Sequence, residues 1–397
     1  MKKLLSTVSI FIFLSLCVCC DSMIKEIDIK SATFPPKLCV TASLDGASGM
    51  FSILLHEGRA IADYKEPRPD GQEIKAYGTI RLYEDDIEIV NETGLFDMTI
   101  GYYQQDGMGS TRRERGGHRF EATVAAKPGS AYRLEVEVDG YSPIKSTSLM
   151  PFPPDISASI DTSSVIVIKN KIRYYSMDKE AYDLGVSDYA GHWMNKDFWP
   201  VSLQWGKRTA ERNYYAVEIL YTTGTLEENP NSSLYSPGVF VSDLSQLQDN
   251  PEVEIDNSQR VNIDPTNSPD MYHFETLLMS DIGFTDNNAS LNLYQEKLKP
   301  YHLPPLSPEE IEQYQLEEVT TQHHTAYKVR VRQITPATFK YYRSLVMQST
   351  GIAFFTEPVN IVGNIENGYG VFSEFNAATI NVLDYHYATY SYHRKEE

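Results

Sequence analysis

Hydrophobic and polar residues alternate with a period of two in several short segments of this chain. The clearest case runs from Tyr132 to Val138, where every second residue is apolar and charged residues lie between them. Such alternation is typical of a strand in an antiparallel sheet with one buried face and one face in water. Comparable segments are 38–44, 50–56, 80–85, 87–90 and 120–125. Because turn residues separate these segments, the sequence predicts a small β-sandwich in this part of the chain.

A proline cluster divides the strand-rich first part from the rest. Pro151, Pro153 and Pro154 fall within four residues, and proline has no N–H to give to a central strand. We therefore place a domain boundary here, with a β-sandwich at 37–150 and a second domain at 151–397.

The second domain also has strand patterns, at 165–168, 213–221 and 326–334, and residues 225–270 are typical of long loops. Two helix starts stand out. Ser307 precedes Pro308, and Thr335 precedes Pro336, which places a capping hydroxyl before a proline at the first helical position. Twenty-seven tyrosines and 12% aromatic residues favour strands. The sequence thus predicts a mostly β fold with a few short helices.

The N-terminus has the layout of a secretory signal. Lys2 and Lys3 precede an uncharged apolar run at 4–18, which is short for a membrane span. The following cysteines resemble the lipobox of bacterial lipoproteins. We predict a signal peptide at 1–19, acylation of Cys20, and a polar tether at 20–36. Acylation of Cys19 fits less well, because Val18 would precede the cut. The remaining alternatives are an uncleaved anchor and a plain secreted protein.

Charge and cysteine content narrow the functional classes. The formal net charge is −19, and removal of Lys2 and Lys3 makes it −21. Such a chain is repelled by nucleic acid and by anionic lipid, so no nucleic-acid partner is expected. Three of the four cysteines lie in the signal region. Cys39 alone can form neither an internal disulfide nor a multi-cysteine zinc site, and its strand-like surroundings favour a buried, inert thiol.

The most distinctive motif lies near the C-terminus, at 355–372, and reads Phe-Thr-Glu-Pro-Val-Asn-Ile-Val-Gly-Asn-Ile-Glu-Asn-Gly-Tyr-Gly-Val-Phe. This closing motif resembles that of the domain-of-unknown-function family DUF4249, except that Gly363 stands where the family often has Ser. Segment 129–136, followed by Met150 and Pro151, also agrees, and the resemblance extends over nearly the whole mature chain.

The resemblance implies an outer-membrane lipoprotein of Gram-negative bacteria, often encoded beside a TonB-dependent transporter, with an immunoglobulin-like first domain. It brings no established catalytic residues. The motif itself has a structural interpretation, because Gly368 and Gly370 allow backbone conformations closed to other residues. Asn364 and Asn367 are typical of turns in which an amide bonds the backbone.

Three tryptophans lie within thirteen residues: Trp193, Trp199 and Trp205. Their segment looks like a loop, and aromatic side chains on loops can form a platform for sugars or apolar ligands. The alternative is that they pack beneath the loop as a satellite core. We take the three as candidate ligand-binding residues.

Metal and catalytic motifs are weak. His323 and His324 would point to opposite faces of a strand, while Asp384 and His386 share a face but are only two ligands. The acidic stretch 281–288 lacks the spacing of an EF-hand and favours a plain turn. No Gly-x-Ser-x-Gly, His-Glu-x-x-His or glycine-rich phosphate motif occurs. The basic cluster 112–115 is read as a solvated loop, with a contact to a partner or to lipopolysaccharide as the alternative.

Together these observations favour a non-catalytic lipoprotein that binds a ligand or partner beside a TonB-dependent transporter. The expected partners are the outer membrane, a transporter barrel, and a glycan, peptide or other nutrient; no cofactor or metal is expected. A surface adhesion or structural protein is the first alternative. A glycan or peptide hydrolase is the second, since 54 acidic residues leave carboxylate pairs open. The periplasmic and cell-surface faces both stay open.

Overall fold

The computed structural model describes residues 36–58, 74–99, 104–105, 111–112, 116–172, 192–207, 212–225, 234–236, 238–241, 272–282, 284, 289–297, 308–314, 316–349 and 361–394. In this part of the chain the fold is mostly β, as predicted, with two short helices. The predicted signal peptide, Cys20 and nearly all of the tether lie outside the described residues. Neither helix in the described ranges is long and apolar enough to cross a membrane.

The strands before the proline cluster form the first group. They are β1 (Lys37–Asp45), β2 (Met50–Gly58), β3 (Lys75–Glu84), β4 (Ile87–Asp97), β5 (Gln104–Gln105), β6 (Thr111–Arg112), β7 (His118–Thr123), β8 (Ala131–Val138) and β9 (Ile144–Leu149). Four of them make a sheet in the order β4-β3-β8-β9, and β5 pairs with β6.

The remaining elements follow the proline cluster. The strands are β10 (Ile156–Ile160), β11 (Ile166–Ile172), β12 (His192–Trp205), β13 (Tyr214–Thr225), β14 (Leu234–Tyr235), β15 (Val239–Val241), β16 (Tyr272–Phe274), β17 (Leu277–Ser280), β18 (Ser290–Glu296), β19 (Leu316–Ile334) and β20 (Tyr369–Arg394). The helices are α1 (Pro308–Gln313) and α2 (Pro336–Ser349). A six-stranded sheet has the order β10-β12-β18-β15-β16, with β11 paired to β12.

An eight-stranded sheet links the two groups in the order β14-β13-β19-β20-β1-β2-β7, with β17 paired to β13. The last strand, β20, makes the link. Its beginning runs parallel to β1, from the pair Cys39 and Tyr369 to the pair Asp45 and Phe375. From Phe375 onward it runs antiparallel to β19. A sheet therefore continues across the proline cluster, and the domain boundary at Met150 stays a prediction.

The first core lies between the four-stranded sheet and the β1-β2-β7 part of the long sheet. The apolar residues of β8 from Tyr132 to Val138 are all buried in it, as the alternation predicts, and the β20 residue Phe372 joins them. Phe51 meets Phe372 edge to face, with ring centroids 6.4 Å apart. Burial of this apolar surface is the main source of the stability of this half.

The second core lies between the six-stranded sheet and the inner face of β13 and β19. Val201 and Leu203 of β12 meet Val217, Val329 and neighbouring residues there. On the opposite, outer face of the long sheet, α2 covers a smaller cluster in which Phe339 contacts Tyr214 at 4.8 Å between ring centroids.

Candidate functional site

The closing motif guides β20 into place beside β1. The Asn364 side chain bonds both backbone groups of Phe372: its Nδ2 donates to the carbonyl oxygen, and its Oδ1 accepts from the N–H, each at 2.8 Å. The Asn364 amide thus acts as a substitute strand partner eight residues away, whereas Asn367, which was expected to bond its own turn, donates to the carbonyl oxygen of Pro143 at 3.2 Å. Residues 355–360 of the motif lie outside the described residues.

The turn also depends on backbone conformations that few residue types adopt. Gly370 has a φ of 107° and Asn367 a φ of 59°. A Cβ at Gly370 would collide with the carbonyl oxygen of Val40, and one at Gly363 with the carbonyl oxygen of Gly370. Gly368 does not have a positive φ, so the prediction of a special backbone conformation is wrong there; an added Cβ would instead lie 3.0 Å from the carbonyl oxygen of Leu38, which is a crowded contact. This confirms a structural role for the described part of the motif.

A buried carboxyl group sits where β20 passes from the first core to the second. Glu374 has no exposed surface, and neither side-chain oxygen has a hydrogen-bond partner of good geometry. Burial raises the pKa of Glu374 to about 8, and a weaker opposing effect comes from the Ser148 hydroxyl. The group is therefore a neutral acid at pH 7. Nearby, the amide of Asn376 donates to the carbonyl oxygen of Pro151 at 3.3 Å.

Two of the three candidate tryptophans are core residues. The segment predicted as a loop is β12 from His192 onward, and Trp199 and Trp205, six residues apart, face the same way on it. They are only 3% and 7% exposed. Trp205 packs on Tyr215 and Phe284, with ring centroids 5.5 and 5.0 Å away. These two indoles form no open platform and instead pack as core. The side chain of Trp193 lies outside the described residues, and a ligand contact by the three stays a prediction.

A row of aromatic side chains leads outward from Trp199. The start of β19 and the end of β20 form a ribbon from the pair Leu316 and Arg394 inward, and β13 joins this ribbon at His323, which pairs with Thr225. Along one face His323 stacks on Tyr387 at 5.1 Å, and Tyr387 stacks on Tyr385 at 5.7 Å. We call His323, Tyr385 and Tyr387 the aromatic row. All three are half-buried, and Tyr385 meets Trp199 edge to face at 5.9 Å.

The opposite face of the ribbon holds the histidines considered as metal ligands. His324 Nε2 lies 3.1 Å from the Asp384 carboxylate, and the rings of His324 and His386 are 4.8 Å apart. His323 faces the other way, as the strand geometry predicts. In the ranges that the structure covers, no three His, Cys, Asp or Glu side chains converge into a metal site.

The acidic stretch at 281–288 begins with a structural residue. The Asp281 carboxylate accepts the backbone N–H of Asn213 at 2.8 Å and its side-chain amide at 2.7 Å. Gln333 then donates to the Asn213 side chain at 2.9 Å. Asp281 is thus used in joining β13 to its neighbours. Residues 285–288 lie outside the described residues, as do the side chains of the basic cluster 112–115.

Cys39, the free thiol among the described residues, is half-buried on β1. Burial raises the pKa of Cys39 above its ordinary value, which keeps the thiol protonated and weakens it as a nucleophile. The thiol is less buried than predicted, and its inertness stays a prediction.

Sequence reasoning did not single out Glu374 or the aromatic row. The sequence showed only that the C-terminal tail is rich in tyrosine. It could not show the aromatic row, because the stacking of Tyr387 on His323 depends on the register between β19 and β20. Nothing in the local pattern signalled that Glu374 is buried, since both faces of that part of β20 are covered.

A comparison with protein families matches this chain. The sequence profile described as "Domain of unknown function (DUF4249)" matches residues 24–381, which covers most of the chain. A search of curated proteins finds no relative that matches. The match covers most of the chain and includes the closing motif. The chain therefore belongs to the DUF4249 family.

Proposed function

We propose that this protein is an outer-membrane lipoprotein that binds a ligand or partner protein beside a TonB-dependent transporter and catalyses no reaction. Acylated Cys20 holds it in the membrane, and the tether to Pro36 leads directly into β1. The fold that follows is built from β-sheets, and its long sheet contributes to both cores. Such a rigid framework is suited to presenting a recognition surface.

The observation that carries the binding role is the aromatic row. His323, Tyr385 and Tyr387 stack in sequence across β19 and β20 at the level where β13 ends, and each of the three side chains stays half-exposed. Tyrosine is enriched at recognition surfaces because it combines apolar area with a polar tip at low cost in conformational entropy. The ring of Trp199 beneath holds Tyr385 in place and carries Lys297 Nζ 5.3 Å from its own centroid.

The partner is tested by isolating the native, membrane-anchored protein in mild detergent and identifying what co-purifies by mass spectrometry. We expect a TonB-dependent barrel in near-equal amount. Substitution Tyr387→Ala should reduce its recovery roughly tenfold or more, since buried aromatic anchors dominate interface energies. Tyr77→Ala is the matched control, because Tyr77 is 65% exposed on the first domain, away from the row. Recovery of the wild-type protein alone would contradict the accessory role.

The anchor is tested separately with Cys20→Ser. We expect the variant to lose incorporation of an alkyne-labelled fatty acid and to leave the membrane fraction, because no acyl chain remains to hold the chain there. Cys19→Ser is the control and should keep both properties. If Cys19→Ser loses the label and Cys20→Ser keeps it, the acylated residue is Cys19; if both keep membrane association without label, the lipoprotein assignment is wrong.

A further inference from the structure

The outer face of β19 presents a line of cations. Lys328, Arg330 and Arg332 occupy alternate positions, opposite the core residues Val329 and Val331. We call these three the basic stripe. Alternate residues on a strand lie about 6.6 Å apart, so three charges span about 13 Å on one face. A chain with a net charge of −19 thus concentrates positive charge on one short surface.

The positions flanking the basic stripe bring almost no opposing charge. On β20, the residues paired with the stripe are Asn381, Thr379 and Ala377. On β13, they are Leu220, Glu218 and Ala216. The next carboxylate outward, Asp384, is engaged by the His324 ring at 3.1 Å and the Asn381 amide at 2.9 Å. The β20 neighbours Thr379 and Asn381 are neutral and exposed, whereas Ala216 and Leu220 of β13 are buried, so a ligand would reach the cations from the β20 side.

The single carboxylate within this surface positions the arginines. Glu218 is 7% exposed and accepts from Arg330 Nε at 2.7 Å and from Arg332 Nη2 at 2.8 Å. Thr276 lies at hydrogen-bond distance on its other side. The Arg332 guanidinium also lies over the ring of Phe375, 5.3 Å from its centroid. Two guanidinium groups are therefore held in fixed directions while their side chains stay 31% and 21% exposed.

Several donors of the basic stripe are left over after these contacts. Within the described residues, Arg330 uses only Nε and Arg332 only Nη2 in hydrogen bonds, and Arg332 Nε is buried without a partner. Lys328 has no partner among the same residues. Three cations set against one carboxylate give the surface a local excess of two positive charges. Buried or half-buried donors of this kind are usually satisfied, and here a ligand can satisfy them.

We propose that the basic stripe binds an oxyanion, the phosphate or carboxylate group of the ligand that this protein recognises. Planar guanidinium groups bond such oxygens in pairs, and a third cation at one end adds charge without fixing the geometry. The inference rests on the proposed binding role, whose ligand class it names, and is independent of the transporter partnership. If Glu218 and the arginines served only to hold β13 to β19, no added anion would bind there.

The site is tested by isothermal titration of the soluble mature chain in a chloride buffer, with inorganic phosphate and citrate as separate probes. We expect saturable binding of at least one probe. The probe with the higher affinity indicates whether the site prefers a phosphate or a carboxylate group. Lys328→Gln should weaken binding about two- to fivefold, the value of one half-exposed charge. The triple variant with Glu218→Gln, Arg330→Gln and Arg332→Gln should abolish measurable binding. Glu218 is replaced as well so that no carboxylate is left without its arginine partners.

Lys207→Gln is the matched control, because Lys207 is an exposed cation just after β12 whose side chain has no partner among the described residues. It should bind both probes as the wild type does. Lys328→Gln removes no described contact, so it keeps the test valid if the triple variant fails to fold. Absence of saturable binding by the wild type, or binding unchanged in Lys328→Gln, overturns the proposal. A missing barrel in the co-purification experiment leaves this result untouched, so the two failures are distinguishable.

Discussion

Raising the pH from about 5 to 8 should lower the free energy of unfolding of this protein by roughly 3–4 kcal/mol through Glu374 alone. The pKa of Glu374 rises from its ordinary 4.5 to about 8 because its carboxyl group is enclosed between β20 and the first core. An acid of raised pKa keeps its proton in the folded chain and loses it in the unfolded chain across this interval. This is the largest pH effect that we expect.

The sign follows from proton binding. Between pH 4.5 and 8 the folded state binds more protons at Glu374 than the unfolded state does, so stability falls by about 1.4 kcal/mol for each pH unit. Below this interval the carboxyl is protonated in both states, and the full stability is present. Above it the group is ionised in both states, and no further loss arises from it. His118 opposes this trend, because burial lowers its pKa and makes the folded state less stable as the pH falls below about 6.5.

Comparison of variants isolates the contribution of Glu374. Chemical denaturation of the wild type and of Glu374→Gln at pH 5, 6, 7 and 8 should give a difference that changes with pH, since the amide cannot ionise. Glu374→Leu should be more stable than the wild type at pH 8, because no charge is then buried. The exposed Glu366 of the closing motif provides the control, and Glu366→Gln should keep the wild-type slope. Parallel curves for the wild type and Glu374→Gln would show that the acid is solvated in the folded protein.

Much of the local structure could be predicted from the sequence, because short-range rules decide it. The alternation at Tyr132–Val138 places its apolar residues in the core and its charged residues in water, as β8 does. Thr335 was predicted to cap a helix, and its hydroxyl accepts the backbone N–H of Thr338 at 3.2 Å at the start of α2. In both cases the controlling contacts lie within a few residues.

Features that depend on distant pairing could not be predicted. The tryptophan segment has the Gly, Asn and Pro content of a loop, yet residues 192–205 form β12 because β10, β11 and β18 pair along it. The parallel pairing of β1 with β20 joins residues more than 300 positions apart. Local propensity carries no information on which strand will supply these hydrogen bonds, and pairing overrides it.

The same reason limits prediction of the candidate sites. The basic stripe was visible only as the polar side of a strand, because the role of Glu218 depends on the register of β13 against β19. Burial of Glu374 depends on β20 crossing between two cores. The closing motif is the exception. Its glycine and asparagine residues predict a special turn by their types alone, although the β1 carbonyl groups that exclude a Cβ at Gly370 could not be foreseen.

Gly370→Ala should reduce the free energy of unfolding by at least about 4 kcal/mol, or prevent folding, because two costs combine at this position. The φ of Gly370 is 107°, which strains any residue with a Cβ. The added Cβ would also overlap the carbonyl oxygen of Val40 on β1. Relief of this overlap requires β1 and β20 to separate, and Phe372 would then lose part of its packing against Phe51.

Two other glycines separate the two costs. Gly140 has a φ of 87° but no atom within 4 Å of an added Cβ, so Gly140→Ala should cost only the backbone strain, about 1–2 kcal/mol. Gly94 has open space and no left-handed backbone, and Gly94→Ala should change stability by less than about 1 kcal/mol. Equilibrium denaturation of the three variants gives the ranking. If Gly370→Ala loses no more free energy of unfolding than Gly140→Ala, then β1 and β20 separate at little cost. A much larger loss would mean that the closing motif holds the two cores together by fixing the position of the β20 backbone beside β1.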